Sequence, residues 1–185
     1  GRGAYLSIRD VFLMVVLGWV AVAIVGSGPF VLSGLMSPVE AFFNSMAGFT
    51  TTGVSTVKSA PPSLLLWRSM SQWVGGIGIV LLFVAVAPLV GFGAAQLYSA
   101  EAATPLTERL TPRIRDTAKV LVYIYAALTA GLAAALLVAG MGLFDAVNHA
   151  LTTVATGGYS TRPGSIAAFD SPAVELVLAA GMILS

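Results

Sequence analysis

Thr50-Thr51-Thr52-Gly53-Val54-Ser55-Thr56 and, 105 residues further on, Ala155-Thr156-Gly157-Gly158-Tyr159-Ser160-Thr161 are the stretches whose reading decides the fold. Aligned without gaps, Thr51 falls on Thr156, Gly53 on Gly158, Ser55 on Ser160 and Thr56 on Thr161. The register extends outwards, with Ala41 on Ala146 and the acid Glu40 on the acid Asp145. Ile8-Arg9-Asp10 and Ile114-Arg115-Asp116 each open an apolar run. Matches concentrated at polar positions cannot come from shared apolar composition, so they mark an internal repeat.

The surroundings of these stretches are apolar. Of 185 residues, 57% are hydrophobic and 9% charged, against about 25% charged in a soluble domain. A disordered chain needs charge and little apolar content. A disulfide-stapled secreted domain needs cysteine, and there is none. A net charge of +1 offers no basic surface for nucleic acid. A polytopic, all-α membrane protein remains.

A membrane-spanning helix takes about 20 apolar residues. Three runs qualify: Val11 to Leu32, Leu64 to Val90 with Arg68 near its start, and Ala118 to Met141 with Lys119 at its edge. A fourth begins at Pro172 and would be roughly 21 Å long by Ser185, short of roughly 30 Å of hydrocarbon. Gly1 to Asp10 shows neither an initiator Met nor signal-peptide organisation, so the chain reads as cut at both ends. Two shorter runs, Pro38 to Phe49 and Leu143 to Val154, would make helices of about 18 Å, half a bilayer. Each precedes one of the Thr- and Gly-bearing stretches. Irregular backbone at membrane depth is tolerated only against protein or a water-filled cavity, so each pair reads as a re-entrant half-helix and loop.

The expected organisation is a first helix–loop–helix repeat over 1–92, a cytoplasmic connection over 93–115 and a second repeat over 116–185, incomplete in its inner helix. The repeats run in parallel, related by an axis along the membrane normal. Arg2, Arg9, Arg109, Arg113, Arg115 and Lys119 lie on one side, against Lys58, Arg68 and Arg162 on the other. That asymmetry puts the N-terminus in the cytoplasm, and both loops enter from outside.

Ser37-Pro38-Val39-Glu40 reads as a capping box; in the second copy Gly142 takes the cap position and Asp145 the acidic one. Both acids are read as caps rather than ion ligands. The negative helix ends then face the loops and favour a cation there. A dehydrating cation needs oxygens in place of water, and successive backbone carbonyls turned to one axis supply them. Glycine reaches the dihedrals this requires. Without acids between Thr50 and Thr56 or Ala155 and Thr161, such a site suits a monovalent ion, because divalent cations usually take carboxylates.

Other polar residues have simpler readings. His149, the only histidine, reads as a hydrogen-bonded packing residue. Arg68 is expected to reach interfacial water and carbonyls by snorkelling, in a structural pairing rather than a gate. Gly75-Gly76-Ile77-Gly78 reads as close helix packing rather than a nucleotide loop. Trp67 and Trp73 read as interface or packing aromatics, and Pro88 as a possible kink. An enzyme would need a nucleophile–base pair or metal cluster, which one histidine and no cysteine do not provide.

Several motifs in order carry a resemblance: Phe49-Thr50-Thr51-Thr52-Gly53; Leu66-Trp67-Arg68-Ser69 with Gln72-Trp73-Val74-Gly75-Gly76-Ile77-Gly78; Leu110-Thr111-Pro112-Arg113; and Phe144-Asp145-Ala146 through Asn148-His149-Ala150 to Ala155-Thr156-Gly157-Gly158-Tyr159-Ser160-Thr161. The chain resembles, over essentially its whole length, the Trk/Ktr/HKT superfamily of potassium transporters, most closely the bacterial TrkH-type membrane subunits. The resemblance implies four such units around a central pore, with a carbonyl filter towards the outside. It further implies a homodimer in the bacterial inner membrane, surrounded by membrane lipid, on a cytoplasmic nucleotide-binding TrkA-type regulator. Gly53 and Gly158 match the family's filter glycines. Glycine at the first filter goes with potassium and serine with sodium. The carbonyls of Thr51, Thr52, Gly53, Thr156, Gly157 and Gly158 are the implied ligands, with Gly157 alternatively a flexibility residue. Potassium is then the substrate and no cofactor is implied. Two units alone are not expected to conduct; the family's other two loops, its gating segment and its pore-facing arginine are not in this sequence. A sodium-permeable or proton- or sodium-coupled transporter of the same fold, and a non-conducting accessory subunit, are the alternatives.

Overall fold

The computed structural model describes residues 7–57, 60–99 and 107–185. All regular structure among them is helical: α1 Ile8–Gly26, α2 Gly28–Leu32, α3 Pro38–Phe49, α4 Pro62–Ser99, α5 Thr107–Val138, α6 Leu143–Val154 and α7 Pro172–Leu184, with a 3-10 turn at Ser165–Phe169.

The half-helices α3 and α6 are each 12 residues, or about 18 Å, and stop where expected. At the start of α3 the Ser37 hydroxyl accepts from the Glu40 amide at 3.3 Å, and Glu40 accepts from the Ser37 amide at 2.9 Å. A second capping box, Ser7 with Asp10, opens α1. It was equally legible, since Ser7 stands three residues before an acid.

The first long apolar run forms one span, Arg9–Leu32, as the sequence reads, with the single residue Ser27 standing between α1 and α2. Pro29 lies in the first turn of α2 and has no amide to continue the α1 ladder. The Trp67 indole donates to the Gly26 carbonyl beside Ser27, 3.0 Å away. The sequence contained the signal in Pro29. Helix also extends into the stretch expected as a connection: α4 runs through Pro88 to Ser99 and α5 begins at Thr107.

Three helical segments are long and apolar enough to cross a membrane: Arg9–Leu32, Pro62–Val84 and Arg115–Val138. Their packing matches lipid rather than water. Phe12, Leu13, Val16, Leu17 and Ile24 of α1 are exposed, while Asn44, Gln72, Asn148 and His149 are buried. Exposed apolar side chains cost nothing against hydrocarbon, and buried polar ones must find partners inside. Each half has its own apolar core. Phe30, Ala41 and Leu64 form one; Leu132, Leu136, Ala146, Ala150, Val174 and Leu178 form the other. The counterparts Ala41 and Ala146 are both fully buried.

Between the halves stands α4, which packs on α3, α5 and α6. Trp73 donates from its indole to the Thr129 hydroxyl at 2.9 Å, and Tyr125 donates to the Trp73 carbonyl at 3.1 Å, joining α4 to α5. Both tryptophans therefore act through their N–H groups as well as their rings.

Candidate functional site

The two half-helices end in the same way. The Thr51 amide donates to the Gly48 carbonyl at 2.9 Å and the Thr52 amide to the Ala47 carbonyl at 3.0 Å. In the second copy Thr156 donates to Thr153 at 2.9 Å and Gly157 to Thr152 at 2.8 Å. This pair of bonds is a Schellman turn, which needs a left-handed residue just past the helix. Threonine takes that place twice, with φ 55° at Thr51 and 54° at Thr156. A β-branched residue there is strained, by roughly 1–3 kcal/mol. Two residues on, Gly53 and Gly158 both have φ 76°. Each loop thus alternates left-handed backbone at its first and third positions.

The loops separate two cavities. Gly53 and Gly158, with Ser55, Arg68, Tyr159 and Ser160, line a polar one of about 300 Å³. Thr51 and Thr156, with Gly76, Tyr125 and Ala155, line an apolar one of about 270 Å³. Among the expected site residues, Thr52, Thr156 and Gly158 are exposed, Thr51 and Gly53 half-buried and Gly157 buried. The Gly157 carbonyl accepts from the Gln72 amide at 2.9 Å. A Cβ on Gly157 would strike that amide, and a Cβ on Gly53 would strike the Gly157 carbonyl oxygen. Glycine at 157 therefore answers a close approach, and positive φ falls instead on Thr156 and Gly158.

Glycines of α4 bring the helix equally close. Gly75 lies against the backbone of Phe49, and Gly76 against Ala155 and the Tyr125 hydroxyl. The Gly75-Gly76-Ile77-Gly78 stretch is helix packing at those two positions, as read from its apolar setting.

Behind each loop stands a polar strut. The Asn44 amide donates to the Glu40 carbonyl at 2.8 Å and accepts from the Ser55 hydroxyl and the Thr56 amide, both at 3.1 Å. His149 meets the Asp145 carbonyl through Nδ1 at 2.7 Å and the Ser160 hydroxyl through Nε2 at 3.0 Å. His149 is 2% exposed and is the packing histidine the sequence led us to expect.

Two expectations need correction. Asp145 is not simply a cap: no side-chain cap closes Gly142. Its carboxylate accepts from the Thr161 hydroxyl at 2.6 Å and from Arg162 at 2.9 Å, clipping the returning chain to the half-helix. Arg68 reaches a carbonyl in a structural pairing, as expected, but from a buried position rather than at the interface. It is 5% exposed, donates to the Ser55 hydroxyl at 3.1 Å and to the Ser160 carbonyl, and lies over the Tyr159 ring. Gln72 was visible only as part of a motif, because nothing in a linear pattern tells which loop a helical glutamine faces. Among the described residues no cluster of acidic or histidine side chains could hold a metal ion; the loops offer neutral oxygens instead.

These features define an all-helical membrane protein of tandem half-helix and loop units. Residues 2–185 match the TrkH family, described as a cation transport protein, and the chain belongs to that family. It is 45% identical to the Trk system potassium uptake protein TrkH of Halomonas elongata, over 97% of this chain and 39% of that protein. It is 44% identical to its namesake in Escherichia coli K12, over 97% of this chain and 38% of that protein. The crystal structure of the potassium transporter TrkH from Vibrio parahaemolyticus superimposes with a TM-score of 0.81 at 36% identity, over 100% of this chain and 37% of that one. The chain spans about two fifths of the length of the curated relatives it matches.

Proposed function

We propose that this chain supplies two of four units of a potassium uptake transporter, and that its two loops form part of a backbone-carbonyl filter. The observation that carries this reading is the matched pair of loops, left-handed at Thr51 and Gly53 and again at Thr156 and Gly158, each dividing a polar cavity from an apolar one. Alternation of left-handed with ordinary backbone rotates successive peptide planes so that carbonyls can share one side. The filter ligands are the carbonyls of Thr51, Thr52, Gly53, Thr156, Gly157 and Gly158, Gly157 using the lone pair that Gln72 leaves free. Strain held twice at the same place belongs to a site that requires the geometry. The negative ends of α3 and α6 add a field that attracts cations. The relatives named for potassium uptake support the choice of ion.

The units run over 1–92 and 116–185 and are joined through 93–115. The assembly sits in the bacterial inner membrane with its N-terminus in the cytoplasm, as a homodimer on a TrkA-type nucleotide-binding regulator. No step of this function is enzymatic.

The test is ion uptake by the complete transporter in cells lacking other potassium uptake systems. Wild type should restore growth at low potassium, and Gly53→Ser should lower the ratio of potassium to sodium uptake. An unchanged ratio in a normally accumulated Gly53→Ser protein refutes the filter assignment.

A further inference from the structure

One guanidinium touches both loops. Arg68 of α4 donates through Nη1 to the hydroxyl of Ser55 at 3.1 Å and through Nη2 to the carbonyl of Ser160. Ser55 and Ser160 are counterparts, 105 residues apart. The same guanidinium lies 4.4 Å from the centroid of the Tyr159 ring. The Tyr159 hydroxyl crosses to the other loop and donates to the carbonyl of Val54, its own counterpart, at 3.1 Å. Neither residue has an equivalent in the opposite unit: the position matching Arg68 is Ala173 and that matching Tyr159 is Val54. Both are buried, Arg68 at 5% and Tyr159 at 4% exposure. The contact ring therefore runs from the first loop through Tyr159 and Arg68 and back to the first loop, once, across the axis that relates the repeats.

We infer that Arg68 and Tyr159 form a single brace that fixes the spacing between the two loops, and that they are positioning residues for the discrimination of potassium from sodium. The inference rests on the filter reading above. Alkali ions differ in radius by a fraction of an ångström, so a filter that distinguishes them needs its oxygens held at that tolerance. The loops already touch where Gly53 faces the Gly157 carbonyl, and the brace lies directly beside that contact, at residues 54, 55, 159 and 160. A planar fork can hold two oxygens at a fixed separation, whereas a lysine ammonium on a flexible stem cannot. Stacking on Tyr159 orients the fork, and the Tyr159 hydroxyl ties that ring to the opposite strand. Neutral oxygens and a ring, rather than a carboxylate, receive the charge. The brace thus places no carboxylate of its own beside the filter oxygens.

The experiment uses the complete transporter in proteoliposomes, with potassium and sodium uptake measured separately for wild type, Tyr159→Phe, Arg68→Lys and the double variant. Tyr159→Phe keeps the ring beneath Arg68 and removes only the cross-loop hydrogen bond. It should still transport, with the potassium-to-sodium ratio reduced about three- to tenfold, the size of one lost hydrogen bond. Arg68→Lys should reduce the ratio in the same direction, and the double variant no further than the stronger single one, because both act through one brace. A Tyr159→Phe protein with the wild-type ratio overturns the inference. So does one whose uptake of both ions falls equally, which is the mark of a merely structural defect. If Arg68→Lys does not accumulate, Tyr159→Phe decides alone. A wild-type protein without preference for potassium would instead refute the filter reading itself.

Discussion

Asn44 and His149 occupy the same place in the two repeats and perform the same task with different chemistry. Each reaches back one turn to a carbonyl, of Glu40 or Asp145, and forward to a serine hydroxyl, of Ser55 or Ser160. An asparagine amide and an imidazole both present a polar pair about one ring apart, so either can bridge a half-helix to the strand that leaves its loop. The carbonyl of Asp145 can only accept, so Nδ1 carries the hydrogen and Nε2 accepts from Ser160. We therefore expect His149→Asn to be tolerated and His149→Leu to cost about 1–3 kcal/mol by stranding buried partners. Thermal unfolding in detergent would compare them; equal loss in both variants contradicts the shared role.

Gly53 and Gly158 provide a controlled comparison. Both have φ 76°, but a Cβ has open space at Gly158 and meets the Gly157 carbonyl at Gly53. Gly158→Ala should cost only the backbone penalty, about 1 kcal/mol. Gly53→Ala should cost clearly more, because a backbone oxygen must move. Melting temperatures in the same detergent measure the difference, and a larger loss at Gly158 would show the loops to be spaced differently.

Gly157 and Gln72 form a close loop-to-helix contact. Gly157→Ala drives a methyl group into the amide and should unfold or displace the second loop, at a cost of about 1–3 kcal/mol. Gln72→Ala alone leaves the Gly157 carbonyl without its donor. Added to Gly157→Ala, it removes the clash and should recover part of the loss. Failure of the double variant to melt above Gly157→Ala counts against the contact.

Asp145 links the second loop to pH. Burial pushes its carboxyl up, but the Thr161 hydroxyl and the hydrogen bond and charge of Arg162 hold it below the ordinary carboxylate value. A group whose pKa is lowered by folding stabilises the fold at pH above its unfolded value. That contribution is lost as pH falls through the folded value. The melting difference between wild type and Asp145→Asn should be constant above about pH 5 and shrink below it. Arg162 is half exposed, so the difference should be modest, about 1 kcal/mol or less. A difference that grows on acidification contradicts the sign.

The half-helices were legible because their signals are local. A serine cap, an acid three residues on and a polar stretch fixed both ends of α3, and the 105-residue register carried the same reading to α6. The interruption at Ser27 is also local, written in Pro29, and leaves the span intact. Arg68, Gln72 and Tyr159 were not legible in the same sense. Their roles depend on which face of α4 meets which loop, and a helix whose neighbours lie on several sides has no single apolar stripe to reveal that. Asp145 misled for a related reason. An acid in a first turn reads as a cap, and only the fold brings Thr161 and Arg162 back to it.

The crossing from Tyr159 to Val54 means that the two halves are no longer interchangeable. Were the first half copied into the place of the second, valine would face valine, and the Val54 carbonyl would lose the Tyr159 hydroxyl. The two copies divide the labour: the second gives the Tyr159 hydroxyl to the Val54 carbonyl, and the first gives the Arg68 guanidinium to the Ser160 carbonyl. Neither half can be exchanged for its twin without undoing that arrangement.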